Sequence, residues 1–274
     1  MDSTSVPSAA PGTRSLWLFA SLWSLRQYPT LHREWSWSRK FSAIQAAGFE
    51  GVLSPPLPAL RDRGSLRYLA ITSLGSSTKV FPALRAAKEL GAVAINIQLV
   101  LHIRAVARNL ALPFAIETHR GTFTETPETT RTLHVAYRRA CGEPLPLCLD
   151  HSHFAVVRHL TPETFWSRLG APGPLWIAPK QFHLRPFNGH HAQLPVLTPS
   201  GRRTPEYLVW RIHYAAPLLA HLHAQATTQP VLAVPELGNA SPSYRLSCFG
   251  DTWRDTLTVS ADLRQIWRRS FKKE

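Results

Sequence analysis

The chain has 274 residues, of which 44% are hydrophobic and 18% are charged, a balance that supplies a substantial core and argues against long-range disorder. Its formal net charge of +14 favours an anionic partner, and nucleic acid is the first to consider. The basic residues are scattered, however, with no run of five or six, so an anionic small substrate or a basic surface without a partner stays open.

The three cysteines, Cys141, Cys148 and Cys248, form no C-x-x-C pair. This pattern predicts neither a disulfide framework nor a zinc cluster, and it favours a reducing compartment. We therefore expect a cytoplasmic protein.

The first 13 residues are small and polar and predict a flexible N-terminal tail, followed by one domain over residues 14–274. The apolar run 16–25 has the composition of a signal-peptide core. It lacks a small-residue cleavage site afterwards and is too short to span a bilayer. We expect it to begin with a buried first strand, and we expect no membrane partner.

Short apolar runs then alternate with longer helical patterns. The candidate strands are residues 16–20, 51–53, 68–72, 94–99, 113–117, 146–150, 175–178 with 182–184, and 231–236. The candidate helices are residues 39–47, 78–90, 126–140, 161–169, 204–223 and 251–270. Three of these helices begin with Thr-Pro-Glu, which places proline in the first turn, where its missing N–H costs least.

Alternating strands and helices of these lengths predict a parallel sheet with right-handed crossovers. Eight strands favour closure, so the predicted fold is an α/β, (β/α)8 TIM barrel in a single domain. No shift in composition marks a second domain.

Polar residues follow four successive candidate strands. Glu117 ends one, Asp150 ends the next, His183 follows Phe182, and Glu236 follows the last apolar run. All strand ends of one direction open on a single face of a parallel barrel, so these side chains are expected to converge. Two Glu, one Asp and one His suit a single divalent ion: Mn²⁺, Mg²⁺, Co²⁺ or Zn²⁺.

Each of these residues also has an ordinary structural interpretation. A glutamate after a strand can begin the next helix, an aspartate there can form a turn, and His183 can be a hydrogen-bonded core histidine. The seventh strand is irregular in sequence, so His190, His191 or Gln181 are alternatives to His183 as the fourth ligand. It is the joint placement at four strand ends that favours the metal site.

The same segments carry a resemblance to a known family. They are FSAIQAAGFEGV (41–52), IETHRGT (116–122), LCLDHSHFAVV (147–157), FHLRPF (182–187) with Gln193 soon after, and VPELG (234–238) with Tyr244 nearby. Together, and in this order, they resemble the sugar phosphate isomerase/epimerase superfamily, the xylose isomerase-like TIM barrels. The resemblance extends over most of the chain from about residue 15.

The resemblance implies a role for each matching residue. Glu117, Asp150, His183 and Glu236 correspond to the four metal ligands, and the two glutamates correspond to the catalytic pair that removes and returns a proton. Substrate-binding roles are implied for four further residues, which are His119, Arg120, His153 and Arg185.

The predicted activity is a metal-dependent isomerase or epimerase that acts on a sugar or related polyhydroxy carbonyl compound through an enediolate. The sequence contains no glycine-rich phosphate-binding motif, so it does not support a phosphorylated substrate. A metal-dependent apurinic endonuclease shares this barrel and suits the charge, but it needs further histidines at strand ends that read Ser54-Pro55-Pro56, 73–75 and 98–99. A catalytically silent ligand-binding barrel is the other alternative, and a homo-oligomer is possible for either.

Nine tryptophans could line a sugar-stacking pocket. Four of them stand where core packing would place them, and the core is their predicted position: Trp17, Trp23, Trp35 and Trp37.

Overall fold

The structure of the protein is a computed structural model. It describes residues 14–30, 32–72, 77–97, 107, 109–169, 179–225, 227–238 and 248–270. The predicted tail and part of the predicted seventh strand, at 175–178, lie outside these residues.

Eight parallel strands pair in sequence order and close on themselves as a barrel. Their bounds are β1 Leu16–Ser21, β2 Gly51–Ser54, β3 Arg67–Thr72, β4 Ala92–Ile97, β5 Phe114–Glu117, β6 Leu147–Asp150, β7 Pro179–His183 and β8 Val231–Val234. Closure is made by β1 and β8, in register from Leu16 opposite Val231. The predicted barrel is therefore confirmed, and the run after Arg14 is its first strand.

Alternation along the strands sorts side chains to the inside and outside of the barrel. A small apolar cluster lies inside it, made of alternate residues that include Phe19, Leu53, Leu69 and Val234. The larger core packs the outer face of the strands against the helices. On β4 to β6 the inward positions change from apolar to polar towards the carboxyl ends, and this change creates part of the polar site described below.

The helices are α1 Trp37–Ala46, α2 Ser77–Glu89, α3 Pro127–Cys141, α4 His151–Arg158, α5 Pro162–Leu169, α6 Pro205–Trp210, α7 Ala216–Ala224 and α8 Thr252–Ser270. All three Thr-Pro-Glu segments place proline in the first turn of a helix, as predicted. Two of the threonines also cap their helix: Thr126 accepts from the Thr129 N–H before α3, and Thr204 accepts from the Tyr207 N–H before α6. Each cap satisfies one of the free N–H groups at a helix start.

The predicted helix over 204–223 is interrupted. One π-helical turn, Arg211–Ala215, separates α6 from α7, and the Ala216 N–H bonds to the Arg211 carbonyl five residues back. Pro217 follows at once, and its ring cannot fit or donate in a regular helix interior. The widened turn accommodates that proline.

Two strand predictions need correction. Residue 184 does not belong to β7, which ends at His183, and β8 ends at Val234, so Glu236 lies two residues beyond it. Pro235 lacks the N–H that would continue the β8 ladder, which explains why the strand stops there.

The three cysteines are free thiols, as expected from their spacing. Within the described ranges, no helix combines the length and the hydropathy that crossing a bilayer requires.

Candidate metal centre

Four buried side chains meet at the carboxyl end of the barrel. One ligand atom from each of Glu117, Asp150, His183 and Glu236 lies within 4.8 Å of the others. The Nδ1 atom of His183 lies 3.1 Å from Glu117 Oε1 and 3.0 Å from Glu236 Oε2. The convergence that the strand ends predict is therefore present.

The barrel positions three of these residues directly. Glu117, Asp150 and His183 are the last residues of β5, β6 and β7, and their register sets neighbouring strand ends side by side, with Asp150 opposite His183. All three side chains are on the inner face of their strands and are almost completely buried. Glu236 reaches the same point from the turn that follows β8.

Asp150 is held in place by its neighbours in sequence and space. It caps α4, since its Oδ1 accepts from the Ser152 N–H at 3.0 Å and from the Ser152 hydroxyl at 2.5 Å. Thr118 Oγ1 both receives the Asp150 N–H and donates to the Asp150 carbonyl. The backbone and one carboxylate oxygen are thus engaged, and the other oxygen, Oδ2, faces the cluster.

Arg185 lies among the carboxylates. Its Nη2 donates to Asp150 Oδ2 at 2.8 Å and to Glu236 Oε2 at 2.5 Å, and the residue is only 3% exposed. The family resemblance implies that Arg185 faces substrate. In the structure its guanidinium bridges two of the proposed ligands.

Asn96, on the inner face of β4, is a site residue that the sequence analysis missed. Its Nδ2 donates to Glu117 Oε2 at 2.8 Å and lies 3.3 Å from His183 Nε2. With Nε2 directed at Asn96, His183 presents Nδ1 to the carboxylates. An asparagine inside the apolar run of β4 was the available signal, because a buried amide needs a polar partner.

The electrostatics of the cluster follow from its charges. Burial alone would raise the pKa of Glu117, but His183 outweighs it and the net pKa is lowered. For Glu236 burial is likewise outweighed, by His183 and Arg185, and its pKa is lowered as well. Burial lowers the pKa of His183, yet Cys148, Glu236 and Glu117 together raise it well above its ordinary value.

These features fit a divalent cation. Three buried carboxylates and one guanidinium leave two negative charges in excess, and a histidine with a raised pKa holds a proton against burial because of them. Oxygen and imidazole donors at this spacing are the ligand types that Mg²⁺, Mn²⁺, Co²⁺ and Zn²⁺ accept. Glu117, Asp150, His183 and Glu236 could therefore hold one ion.

The other three predicted substrate-binding residues are His153, His119 and Arg120, of which His153 lies nearest to the cluster. His153 is fully buried on α4, with Nε2 3.5 Å from Asp150 Oδ2, and neither ring nitrogen has a hydrogen-bond partner among the described residues. Burial, with Arg185 and His119, lowers its pKa well below the ordinary value, so it is neutral. The ring of His119 lies over that of His153, with centroids 4.0 Å apart, and half-buried Arg120 follows on the same loop.

The alternatives to His183 lie elsewhere. His190 and His191 are exposed on a turn, where the Asn188 side chain accepts from both of their backbone N–H groups. Gln181 is buried two residues before His183 on the same strand. Of the positions that bear on an endonuclease site, residues 73–75 and 98–99 lie outside the described residues, as does Tyr244.

Trp23 is at the site rather than in the core. Its ring lies 5.8 Å from the Arg185 guanidinium and packs against Gly238, in the turn that carries Glu236. Trp17 and Trp35 pack against the core as predicted, while Trp37 is 40% exposed. The position of Trp23 depends on a contact with residues far along the chain, which local spacing does not reveal.

A cavity of about 960 Å³ opens at the opposite end of the barrel, beside the amino ends of the strands. Its walls include Trp17, Val93, Phe114, Gln181 and Leu232. In barrels of this kind the reacting groups lie at the carboxyl ends of the strands, and none of the four clustered side chains lines this cavity. The carboxyl-end cluster is therefore the candidate site.

Comparison with known proteins agrees with this geometry. An L-ribulose 3-epimerase structure aligns over 93% of this chain and 97% of its own, with a TM-score of 0.55 and 11% identity. A D-tagatose 3-epimerase-like protein aligns over 94% and 99%, with a TM-score of 0.53 and 12% identity. The chain folds as a xylose isomerase-like TIM barrel.

The same fold is found in the probable 3-DHS dehydratase AsbF of Bacillus anthracis, which aligns over 91% of this chain and 97% of its own, with a TM-score of 0.53 and 15% identity. No family model and no curated protein sequence matches the chain. At these identities the likeness establishes the fold alone.

Proposed function

We propose that this protein is a metal-dependent isomerase or epimerase that acts on a sugar or related polyhydroxy carbonyl compound. The observation that carries the proposal is the buried cluster of Glu117, Asp150, His183 and Glu236 at the carboxyl end of the barrel. Barrels of this shape support many different reactions, so the proposal depends on this set of ligand atoms and not on the fold.

Glu117 and Glu236 are the proposed proton-transfer pair. They come from β5 and from the turn after β8, and their carboxylates approach His183 Nδ1 from separate elements, at 3.1 and 3.0 Å. The lowered pKa of each keeps it ionised at neutral pH, which is the form that accepts a proton. In the proposed reaction one ionised carboxylate takes a proton from a carbon next to a carbonyl, and the other, once it has taken up a proton from solvent, delivers that proton to the substrate.

When bound, a divalent ion would polarise the substrate carbonyl and lower the pKa of the adjacent C–H. Around the cluster, neutral His153 is proposed to offer a donor and an acceptor to substrate hydroxyls, and the ring of His119 contacts it at a tilt of 46°. Arg185 is proposed to orient substrate oxygens as well as the two carboxylates it bridges. Arg120 is proposed to contact substrate from the loop after β5.

The test is hydrogen exchange with solvent. Purified protein is assayed for bound metal and then incubated in D2O with pools of aldoses and ketoses, whose deuterium incorporation is measured by mass spectrometry. We expect incorporation that Glu236→Gln abolishes, because the amide cannot accept the proton. The matched control is Glu128→Gln, the same change at an exposed glutamate paired with Arg158 on the surface, and it should exchange like the wild type.

Other results would select the alternatives. Bound metal without exchange on any sugar would favour a catalytically silent binding barrel. Cleavage of abasic DNA would favour a phosphodiesterase and would assign the net positive charge to nucleic-acid binding.

A further inference from the structure

The turn that carries Glu236 is fixed by a side chain from another connection. Gln193, buried on the long segment between β7 and α6, pairs with both backbone groups of Gly238, 45 residues away. Its Oε1 accepts from the Gly238 N–H at 2.8 Å, and its Nε2 donates to the Gly238 carbonyl at 3.0 Å. A single carboxamide thereby holds the peptide groups on both sides of one residue.

The same turn is held from the β1 side. Ser24 Oγ donates to the Leu237 carbonyl at 2.7 Å. Gly238 packs so closely on Trp23 that a Cβ there would lie 2.0 Å from the indole ring. The two residues after Glu236 are therefore fixed by three side chains from two separate connections.

Such fixing matters because the sheet does not reach Glu236. The last β8 ladder bond is the one that the Val234 carbonyl accepts from Leu184, and Pro235 has no N–H to give. Glu236 is nevertheless required to hold its carboxylate 3.0 Å from His183 Nδ1. Arg185 and His183 hold the carboxylate of Glu236 itself. Outside a strand, the backbone that carries Glu236 is held by side-chain bonds to the residues that follow it.

We propose that Gln193 is a positioning residue, whose paired bonds to Gly238 aim the Glu236 carboxylate at the cluster of Glu117, Asp150 and His183. This inference rests on the proposed metal site for its effect on metal affinity. Its effect on geometry does not depend on any bound ion.

The test uses Gln193→Met, which keeps the length of the side chain and removes both hydrogen bonds. Gln193→Asn, one methylene shorter, keeps an amide that cannot span both groups of Gly238 and serves if the first variant does not fold. The control is Tyr207→Phe, which deletes a buried hydrogen bond to Asp262 on the outer side of the barrel. Mn²⁺ alone is titrated calorimetrically into each full-length protein, and each is also crystallised in EDTA.

We expect Gln193→Met to bind Mn²⁺ about 10- to 100-fold more weakly than wild type, as is usual when a group that orients a ligand is lost. Tyr207→Phe should keep wild-type affinity even if its melting temperature falls. In the metal-free crystals, Glu236 Oε2 of Gln193→Met should move from His183 Nδ1 by more than about 0.5 Å, the tolerance within which such sites are held.

The outcomes separate the two proposals. If wild type binds no Mn²⁺, the proposed function fails and the crystals still decide the role of Gln193. If wild type binds Mn²⁺ and Gln193→Met binds it equally well with Glu236 unmoved, Gln193 only stabilises the fold and the inference is wrong.

Discussion

Replacing Arg185 by methionine tests the charge balance of the cluster in depth. The guanidinium is buried and donates to both Asp150 and Glu236, so its removal leaves two buried carboxylates with one cation fewer. Methionine fills a similar volume, and the loss is mainly one of charge.

The magnitude follows from the distances. Carboxylates whose oxygens lie within 4.8 Å of each other repel by at least about 3.5 kcal/mol at an effective dielectric constant of about 20. Removing one partner of a buried ion pair typically costs about 3–5 kcal/mol. For a chain of this size we expect the metal-free variant to melt roughly 10 °C below wild type.

The assay is thermal unfolding in EDTA and again with excess Mn²⁺. A free ion concentration of about 100 times its Kd adds roughly 2.7 kcal/mol to the folded state, and the variant should gain more than wild type because the ion no longer competes with a guanidinium. The control, Arg203→Met, removes a partly exposed arginine that pairs with Asp262, and should lose only about 1 kcal/mol or less. Equal melting of Arg185→Met and wild type in EDTA would refute the reasoning.

Three further changes probe the site and its frame. Asn96→Leu removes the donor to the β5 glutamate, so calorimetry should show about 10- to 100-fold weaker Mn²⁺ binding, and unchanged binding would make the amide a packing residue. Gly238→Ala forces a Cβ into Trp23 and should cost about 1–3 kcal/mol in urea unfolding, whereas Gly250→Ala, with open space around it, should cost little; equal losses would contradict this. Burial raises the pKa of Asp255 to about 6, so its protonated form stabilises the fold below pH 4. This contribution, at most about 3 kcal/mol, is lost as the pH rises through 6. The free energy of urea unfolding should fall between pH 4 and 8 in wild type but not in Asp255→Asn, and an identical fall in both proteins would disprove this.

Much of the site was predictable because it depends on strand ends. Glu117 and Asp150 each end an apolar run, and His183 ends a strand of mixed composition. Closure of eight strands brings such ends together whatever the details of the loops. His183 could not be distinguished from His190 or His191 by sequence, because the strand before it begins with Pro179 and lacks a clean alternation. The register with β6 decides it, and that register is a property of the folded sheet.

The remaining features of the site depend on contacts between distant parts of the chain, which the spacing of residues in the sequence does not reveal. Helix α4 begins directly after Asp150, and its buried histidines, His151 and His153, break the apolar pattern that would reveal a helix. The sequence indicates Gln193 only as part of the family resemblance, and it predicts Trp23 in the core. Both reach Gly238 from distant connections, so no local motif indicates these contacts. A residue such as Gln193 is found only when the backbone groups that it satisfies have been located.

The most direct test of the account is a crystal of the protein soaked in Mn²⁺ and measured for anomalous scattering. We predict one strong peak, about 2.2 Å from an oxygen of each of Glu117, Asp150 and Glu236 and from Nδ1 of His183. The account would be contradicted by an anomalous map at saturating Mn²⁺ that shows no peak among these four side chains, or that shows Mn²⁺ bound only elsewhere.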